Sequence, residues 1–225
     1  MRRVALYGGT FDPVHNGHIA VARALISFFA FDAVSFIPAY VAPHKRAAEV
    51  ASAFHRFAML ALATQDEERF RLSTVELEAP ERPYTVDTLT RLRAKFNDST
   101  RLFFIMGADS WEEIKTWRDW EQVLTMTDHI VVARPGHTLR TDHVTPAIRA
   151  RIVDLCGAKA DEARRTLGAS EEGRIFLTDV VTVDVSATQV RRAASEGREL
   201  RSLVPAPVAE YIRKHGLYSN RLKGE

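Results

Sequence analysis

Among 225 residues there is one cysteine, Cys156. No internal disulfide can form, which fits a reducing compartment, so a cytoplasmic location is expected. No apolar run approaches the roughly 20 residues of a membrane-spanning helix, so no membrane partner is expected. The first residues read as a strand running into a motif, not as a signal peptide. An excess of one charge is also missing. Lys and Arg number 31 against 29 Asp and Glu, a formal net charge of +2. That balance argues against a general nucleic-acid binder, and there are no aromatic-basic strings of the kind RNA-binding strands carry. The basic residues near the C-terminus (Arg213, Lys214, Arg221, Lys223) read as solvated surface. Neither G-x-G-x-x-G nor G-x-x-x-x-G-K-[ST] occurs, which removes the usual dinucleotide fingerprint and the P-loop.

What is present is a chain that is 46% hydrophobic. Its length suffices for one sizeable core, and a single domain over 1–225 is expected. Residues 4–7 form a short apolar run, as a covered parallel strand would. Gly8-Gly9 follows, where bare backbone can approach a ligand. Asn16-Gly17 is read as a turn, and residues 18–29 are helical in pattern. A helix start offers unpaired N–H groups and partial positive charge, so it suits phosphate. His15 and His18, three residues apart, fall on one side of that start. An H-x-x-H pair could also begin a metal site, but no third ligand stands at a useful spacing. Either histidine alone could be a surface or cap residue; turn, helix start and both histidines together point to an anion site.

Further strands are expected at 33–38, 70–78, 101–106, 128–133, 175–177 and 180–185. Helices are expected at 52–64, from Thr85 to about Lys95, at 110–120, at 146–155 and at 206–215. Alternating strands and helices give an α/β three-layer fold with a mainly parallel central sheet. Several positions remain open on residues alone. Pro43-His44-Lys45-Arg46 is either a solvated basic loop or a phosphate contact, and its place after a strand favours the second. Thr85, Asp87 and Thr88 could serve only as a helix start, with Thr85 as N-cap. Gly107 and Asp109 after the most apolar strand read either as a turn or as a ribose contact. Trp111, Trp117 and Trp120 at helical spacing suggest core. Arg134 fits an ordinary turn. Ser186 and Thr188 with Arg191 one turn on form either a capped helix or a second anion-binding helix start. Residues 157–173, polar and alanine-rich, read as a surface insertion.

The string Gly8-Gly9-Thr10-Phe11-Asp12-Pro13-Val14-His15-Asn16-Gly17-His18 resembles the signature of the nucleotidyltransferases with a T/H-x-G-H motif. The resemblance continues through P-H-K at 43–45, Y-T-V-D-T-L at 84–89, G-A-D at 107–109 and R-P-G at 134–136. It ends with S-A-T-x-V-R at 186–191 and V-P…L-Y at 204–218, and so spans most of the chain. These features are similar to the nicotinate-mononucleotide adenylyltransferases. Ala187 and Val185 depart from the family's I-S-S-T-x-I-R, at the loss of one hydroxyl.

The resemblance implies a Rossmann-like nucleotidyltransferase fold. The implied activity is adenylyl transfer from ATP to nicotinate mononucleotide, forming deamido-NAD and pyrophosphate, with Mg²⁺ carried on ATP. It implies His15, His18 and Arg191 as catalytic. It implies ATP contacts at Gly8, Gly9, Thr10, Phe11, His15, His18, Gly107, Asp109, Arg134, Ser186, Thr188 and Arg191. Lys45, Thr85 and Trp117 are implied for the mononucleotide, with Trp117 on the nicotinate ring and Trp111 and Trp120 left to packing. Two alternatives remain open. One is a sibling transferase acting on nicotinamide mononucleotide or phosphopantetheine, or a cytidylyl-transferring relative. The other is a non-catalytic nucleotide-binding regulator. The homo-oligomeric state is left open.

Overall fold

The computed structural model describes residues 1–40, 50–79, 83–134, 136, 138–181, 183 and 185–219. The chain alternates strand and helix. The first half runs β1 (Arg2–Gly9), α1 (Asn16–Phe29), β2 (Ala33–Pro38), α2 (Ala53–Thr64), β3 (Phe70–Leu72), α3 (Thr85–Lys95) and β4 (Thr100–Gly107). Then come α4 (Ala108–Glu112), a 3₁₀ turn at Ile114–Thr116, α5 (Trp120–Met126), β5 (Asp128–Val132), α6 (Pro146–Arg149) and β6 (Ile152–Asp154). The last elements are α7 (Ala160–Ala169), β7 (Ile175–Thr178), α8 (Ala187–Ser195) and α9 (Ala206–Lys214).

The strands form one seven-stranded sheet in the order β3-β2-β1-β4-β5-β7-β6, and every pairing is parallel. Side-chain alternation along the strands feeds two separate cores. Ala5, Phe103, Ile105, Ile130 and Phe176 enter one; Val4, Leu6, Leu102, Phe104, Val131 and Ile175 enter the other. A sheet buried on both faces must be apolar at successive positions, as Leu102 to Met106 are. Each large side chain so buried stabilises the fold by roughly 1.5–3 kcal/mol. The three layers expected from the sequence are therefore present, and the sheet is wholly rather than mainly parallel.

The topology also fixes where a ligand can enter. From β1 the chain proceeds to β2 and β3 on one side, and from β4 to β5 and beyond on the other. The crevice at such a reversal opens beyond the carboxyl ends of the central strands. Here those ends are Gly8-Gly9 of β1 and Gly107 of β4. At the opposite end of the sheet, the buried Arg101 and Asp128 pair through bonds of 2.6 and 3.0 Å. Arg101 also donates to the carbonyls of Leu167, Ser170 and Glu171. This ion pair ties β4, β5 and the end of α7 together, away from the crevice.

Several sequence expectations change. The strand at 70–78 ends at Leu72, after which the Glu78 N–H bonds back to Thr74 O at 2.9 Å in a helical turn. The expected helix at 110–120 is broken three ways, with Trp117 extended and Asp119 left-handed at φ 50°. The expected helix at 146–155 stops at Arg149, and Ile152–Asp154 becomes the edge strand β6 beside β7. Ile148, Ile152 and Leu155 recur at helical spacing, and a three-residue edge strand is too short to show a period of two. Among the described residues of 180–185 there is no strand. Residues 157–173 are not an appendage: α7 is the crossover between β6 and β7, and its Ala163 and Leu167 are fully buried.

Candidate active site

The glycine turn and the start of α1 meet at the mouth of the crevice. Asn16 and Gly17 are not a turn but the first residues of α1, with His15 as N-cap. The two imidazoles stack, centroids 3.6 Å apart at an interplanar angle of 30°. His18 is further enclosed by Phe11, whose ring lies 4.9 Å away edge-on, and by Tyr7 at 6.0 Å. The His15 backbone N–H donates to His18 Nδ1 at 3.2 Å. That bond makes Nδ1 an acceptor, so the proton of neutral His18 sits on Nε2. Burial lowers the His15 pKa to about 4. Burial, then the neighbouring His15, push His18 well below the usual histidine value. Both rings are therefore neutral at pH 7, and a neutral imidazole offers one N–H donor rather than a positive charge. His15 Nδ1 is buried with no partner among the described residues.

Gly17 explains how α1 and α8 come together. A Cβ there would lie 3.0 Å from both His15 Nδ1 and the Val185 carbonyl. Backbone cannot yield as a flexible side chain can, so a side chain at Gly17 would push the two helix starts apart. At the second start Ser186 is the N-cap of α8. Its Oγ accepts from the Gln189 N–H at 3.2 Å, and Gln189 Oε1 accepts from the Ser186 N–H at 2.7 Å. The Ser186 hydroxyl is thus engaged in capping, worth about 1 kcal/mol to such a helix. Arg191 bridges back to the first motif: Nη1 donates to the Asp12 carbonyl at 2.7 Å and Nη2 to Thr188 Oγ1 at 3.2 Å. Gly8, Gly9, Thr10, Phe11, His15, His18, Ser186, Thr188 and Arg191 therefore gather around one end of the sheet.

Beyond β4 and β5, Asp109 and Arg134 form an exposed ion pair, with Gly107 beside them and open space where its Cβ would be. On the far side of Phe104 lies the other cluster. Trp117 meets the Phe104 ring edge-on at 6.3 Å, and the Phe104 ring also lies 2.9 Å from where a Gly8 Cβ would be. The Arg118 guanidinium lies 4.9 Å over the Tyr84 ring. That contact joins the Trp117 corner to the start of α3, where Thr85 is the first helical residue. The N-cap of α3 is Tyr84 rather than Thr85, and Asp87 returns to accept from the Tyr84 N–H at 3.0 Å. Trp111 is fully buried with its Nε1 donating to Arg140 O at 2.7 Å, and Trp120 packs at the edge of the same core. Lys45 lies outside the described residues.

Four residues here were not singled out from sequence. Asp12 is buried under the turn, accepting from Tyr218 Oη at 2.7 Å and the Ala51 N–H at 3.1 Å. Tyr218 is in the left-handed region at φ 63°, which brings its hydroxyl inward. Glu76 accepts from Thr88 Oγ1 at 2.9 Å and the Tyr40 N–H at 3.2 Å, and burial raises its pKa. Arg56 is only 1% exposed and donates to four backbone carbonyls. Asp12 and Tyr218 stand within quoted motifs and could have been read. Arg56 left a fainter signal: an arginine on the buried stripe Ala53, Arg56, Leu60, Thr64 of α2.

The Cytidylyltransferase-like family profile matches residues 6–193. A probable nicotinate-nucleotide adenylyltransferase of Symbiobacterium thermophilum is 39% identical over 225 residues, covering 100% of this chain and 98% of its own. A Corynebacterium jeikeium protein with the same description is 36% identical over 211 residues, covering 94% and 98%. In fold, the chain is similar to Plasmodium falciparum nicotinic acid mononucleotide adenylyltransferase complexed with NaAD, at a TM-score of 0.69. That similarity covers 97% of this chain and 98% of the other at 16% identity. The chain belongs to the Cytidylyltransferase-like family and, within it, to the nicotinate-nucleotide adenylyltransferases.

Proposed function

We infer that the chain transfers an adenylyl group from ATP to nicotinate mononucleotide, giving deamido-NAD and pyrophosphate in NAD biosynthesis. Close full-length similarity to enzymes of that description supports the reading. The observation that carries it chemically is the stacked pair His15 and His18 at the start of α1, facing the start of α8 across Gly17. The reaction is an in-line displacement. A phosphate oxygen of the mononucleotide bonds to the α-phosphorus of ATP as the bond from that phosphorus to the β-phosphate bridging oxygen breaks. The nucleophile is already ionised, so no strong base is required. Catalysis is positioning plus stabilisation of charge on the α-phosphate and the departing pyrophosphate.

Each predicted residue has a part in that scheme. His18 donates from Nε2 to an α-phosphate oxygen, with His15 stacked behind it. Backbone at Gly8, Gly9, Thr10 and Phe11 allows close approach of the triphosphate. Arg191 supplies a fixed positive charge, Thr188 orients it, and Ser186 secures the helix start. Gly107, Asp109 and Arg134 serve the adenosine side. Thr85 and Trp117 serve the nicotinate ring, and Lys45 the mononucleotide phosphate. In this reading Mg²⁺ would enter on the triphosphate of ATP. When bound, it neutralises phosphate charge. A cytoplasmic location belongs to the same reading, since a chain with one cysteine needs no oxidising compartment for an internal disulfide.

Pyrophosphate release across an acceptor panel tests the reading. With ATP present, nicotinate mononucleotide is expected to give the highest kcat/KM, above nicotinamide mononucleotide, and phosphopantetheine no turnover. A preference for phosphopantetheine, or binding of ATP and nicotinate mononucleotide without product, would overturn it.

A further inference from the structure

Arg56 is a buried cation in the first turn of α2, and the proposed chemistry does not use it. Its Nε donates to Ala51 O at 3.0 Å and its Nη1 to Thr10 O at 2.7 Å. Nη2 donates to Ala39 O at 2.6 Å and to Tyr40 O at 3.1 Å. One planar group thus holds the phosphate turn at Thr10, the exit from β2 at residues 39–40, and the lead into α2 at Ala51. Each of these segments also meets a carboxylate. Asp12 accepts from the Ala51 N–H at 3.1 Å and stands 3.9 Å from Arg191. Glu76 accepts from the Tyr40 N–H and from Thr88 on α3, the helix that begins with Thr85. The hydrogen bonds therefore run unbroken from Arg191 through Asp12, Ala51, Arg56, Tyr40 and Glu76 to Thr88.

We propose that Arg56 is a positioning residue that sets the distance between the phosphate turn and the acceptor-binding side, with Glu76 as its link to α3. The inference rests on the adenylyl-transfer reading above. A planar five-donor fork can satisfy four carbonyls at fixed angles, whereas an ammonium has three donors on a flexible stem. Lysine would keep the charge and lose the geometry. Transfer needs the attacking oxygen and the α-phosphorus within a few tenths of an ångström of alignment, and an error of about 1 Å at a distance from the chemistry can lower rate about 100-fold. Arg101 provides the contrast. It too is buried and multiply bonded to backbone carbonyls, with Asp128 as an added carboxylate partner, but it sits at the far end of the sheet.

The test is steady-state kinetics on Arg56→Lys, Arg56→Ala, Glu76→Gln and Arg101→Lys, each normalised to folded protein by circular dichroism and thermal unfolding. Arg56→Lys is expected to lose about 100-fold in kcat with the KM for ATP little changed. Arg56→Ala is expected to regain at least tenfold in kcat with low-millimolar guanidinium and nothing with sodium chloride. Glu76→Gln is expected to raise the KM for nicotinate mononucleotide about tenfold while sparing that for ATP. Arg101→Lys is expected to lower the unfolding temperature and leave the kinetics of the folded fraction as in the wild type. Folded Arg56 variants with wild-type kcat, or kcat losses in Arg101→Lys equal to those in Arg56→Lys, would overturn the assignment. If neither Arg56 variant folds, an unchanged acceptor KM in Glu76→Gln overturns it. Absence of pyrophosphate release by the wild type would instead sink the functional reading, and this assignment with it.

Discussion

The two halves of the site are built in opposite ways. Around the phosphate turn, side chains are tied to one another and to the backbone over buried Asp12 and His15. Asp12 takes bonds from Tyr218 and Ala51, Arg191 reaches Asp12 and Thr188, and two imidazoles stack at 3.6 Å. On the acceptor side, Tyr84 is exposed and meets Arg118 only through the face of its ring, and Trp117 leans edge-on against Phe104. The difference follows from the task of each half. Stabilising charge in a transition state requires donors that do not reorganise, hence a rigid, water-poor corner. Recognising a planar aromatic ring needs a surface that a ligand itself completes, and half-exposed aromatics can supply one.

The largest effect should come from the rigid half. His18→Ala is expected to lower kcat about 100- to 1,000-fold while the circular dichroism spectrum stays that of the wild type. Turnover within a fewfold of wild type would remove His18 from the chemistry and dissolve the contrast. The second effect is on stability. Burial depresses His15 and His129 to about 4 in the folded state, against 6.5 as the ordinary value. Below pH 6.5 the unfolded chain binds protons that the folded chain refuses, so stability falls as pH drops and the loss is complete near pH 4. For the fully buried His129 the depression is worth of order 3 kcal/mol. Urea unfolding at pH 7.5 and 4.5 measures the slope. His129→Leu should flatten it, and an unchanged slope would show that His129 titrates freely in the fold.

Smaller effects should mark the softer half and the ties between them. Trp117→Ala is expected to raise the KM for nicotinate mononucleotide about tenfold, from the roughly 1–3 kcal/mol of a base–aromatic stack. Tyr218→Phe removes one bond to Asp12 and should cost about 1 kcal/mol of stability by urea unfolding. A larger loss in Tyr218→Phe than in any acceptor-side variant is the pattern that a bonded corner and an open face predict.

The sequence made most of the rigid half legible because its parts are local. Gly8 to His18 is one string, and Ser186 to Arg191 is another; each needs only a strand end or a helix start to make sense. What escaped was long-range. Arg56 looks like any helix arginine until residues 10, 39, 40 and 51 close around it. Glu76 matters only because Thr88 and Tyr40 meet there. The fold failed to show through in short edge elements such as β6, where Ile148, Ile152 and Leu155 keep helical spacing across three strand residues. It also failed at 110–120, where Trp117 and Asp119 leave helical geometry although the local pattern is amphipathic. The packing of Phe104 between Gly8 and Trp117, which joins the two halves, lies in no single stretch of sequence.

Steady-state kinetics of Trp117→Ala, with ATP and nicotinate mononucleotide varied in turn, tests the division of the site most directly. The account predicts a raised KM for the mononucleotide, an unchanged KM for ATP and a kcat within about threefold of wild type. Equal rises in both KM values, or a collapse of kcat like that of His18→Ala, would contradict it.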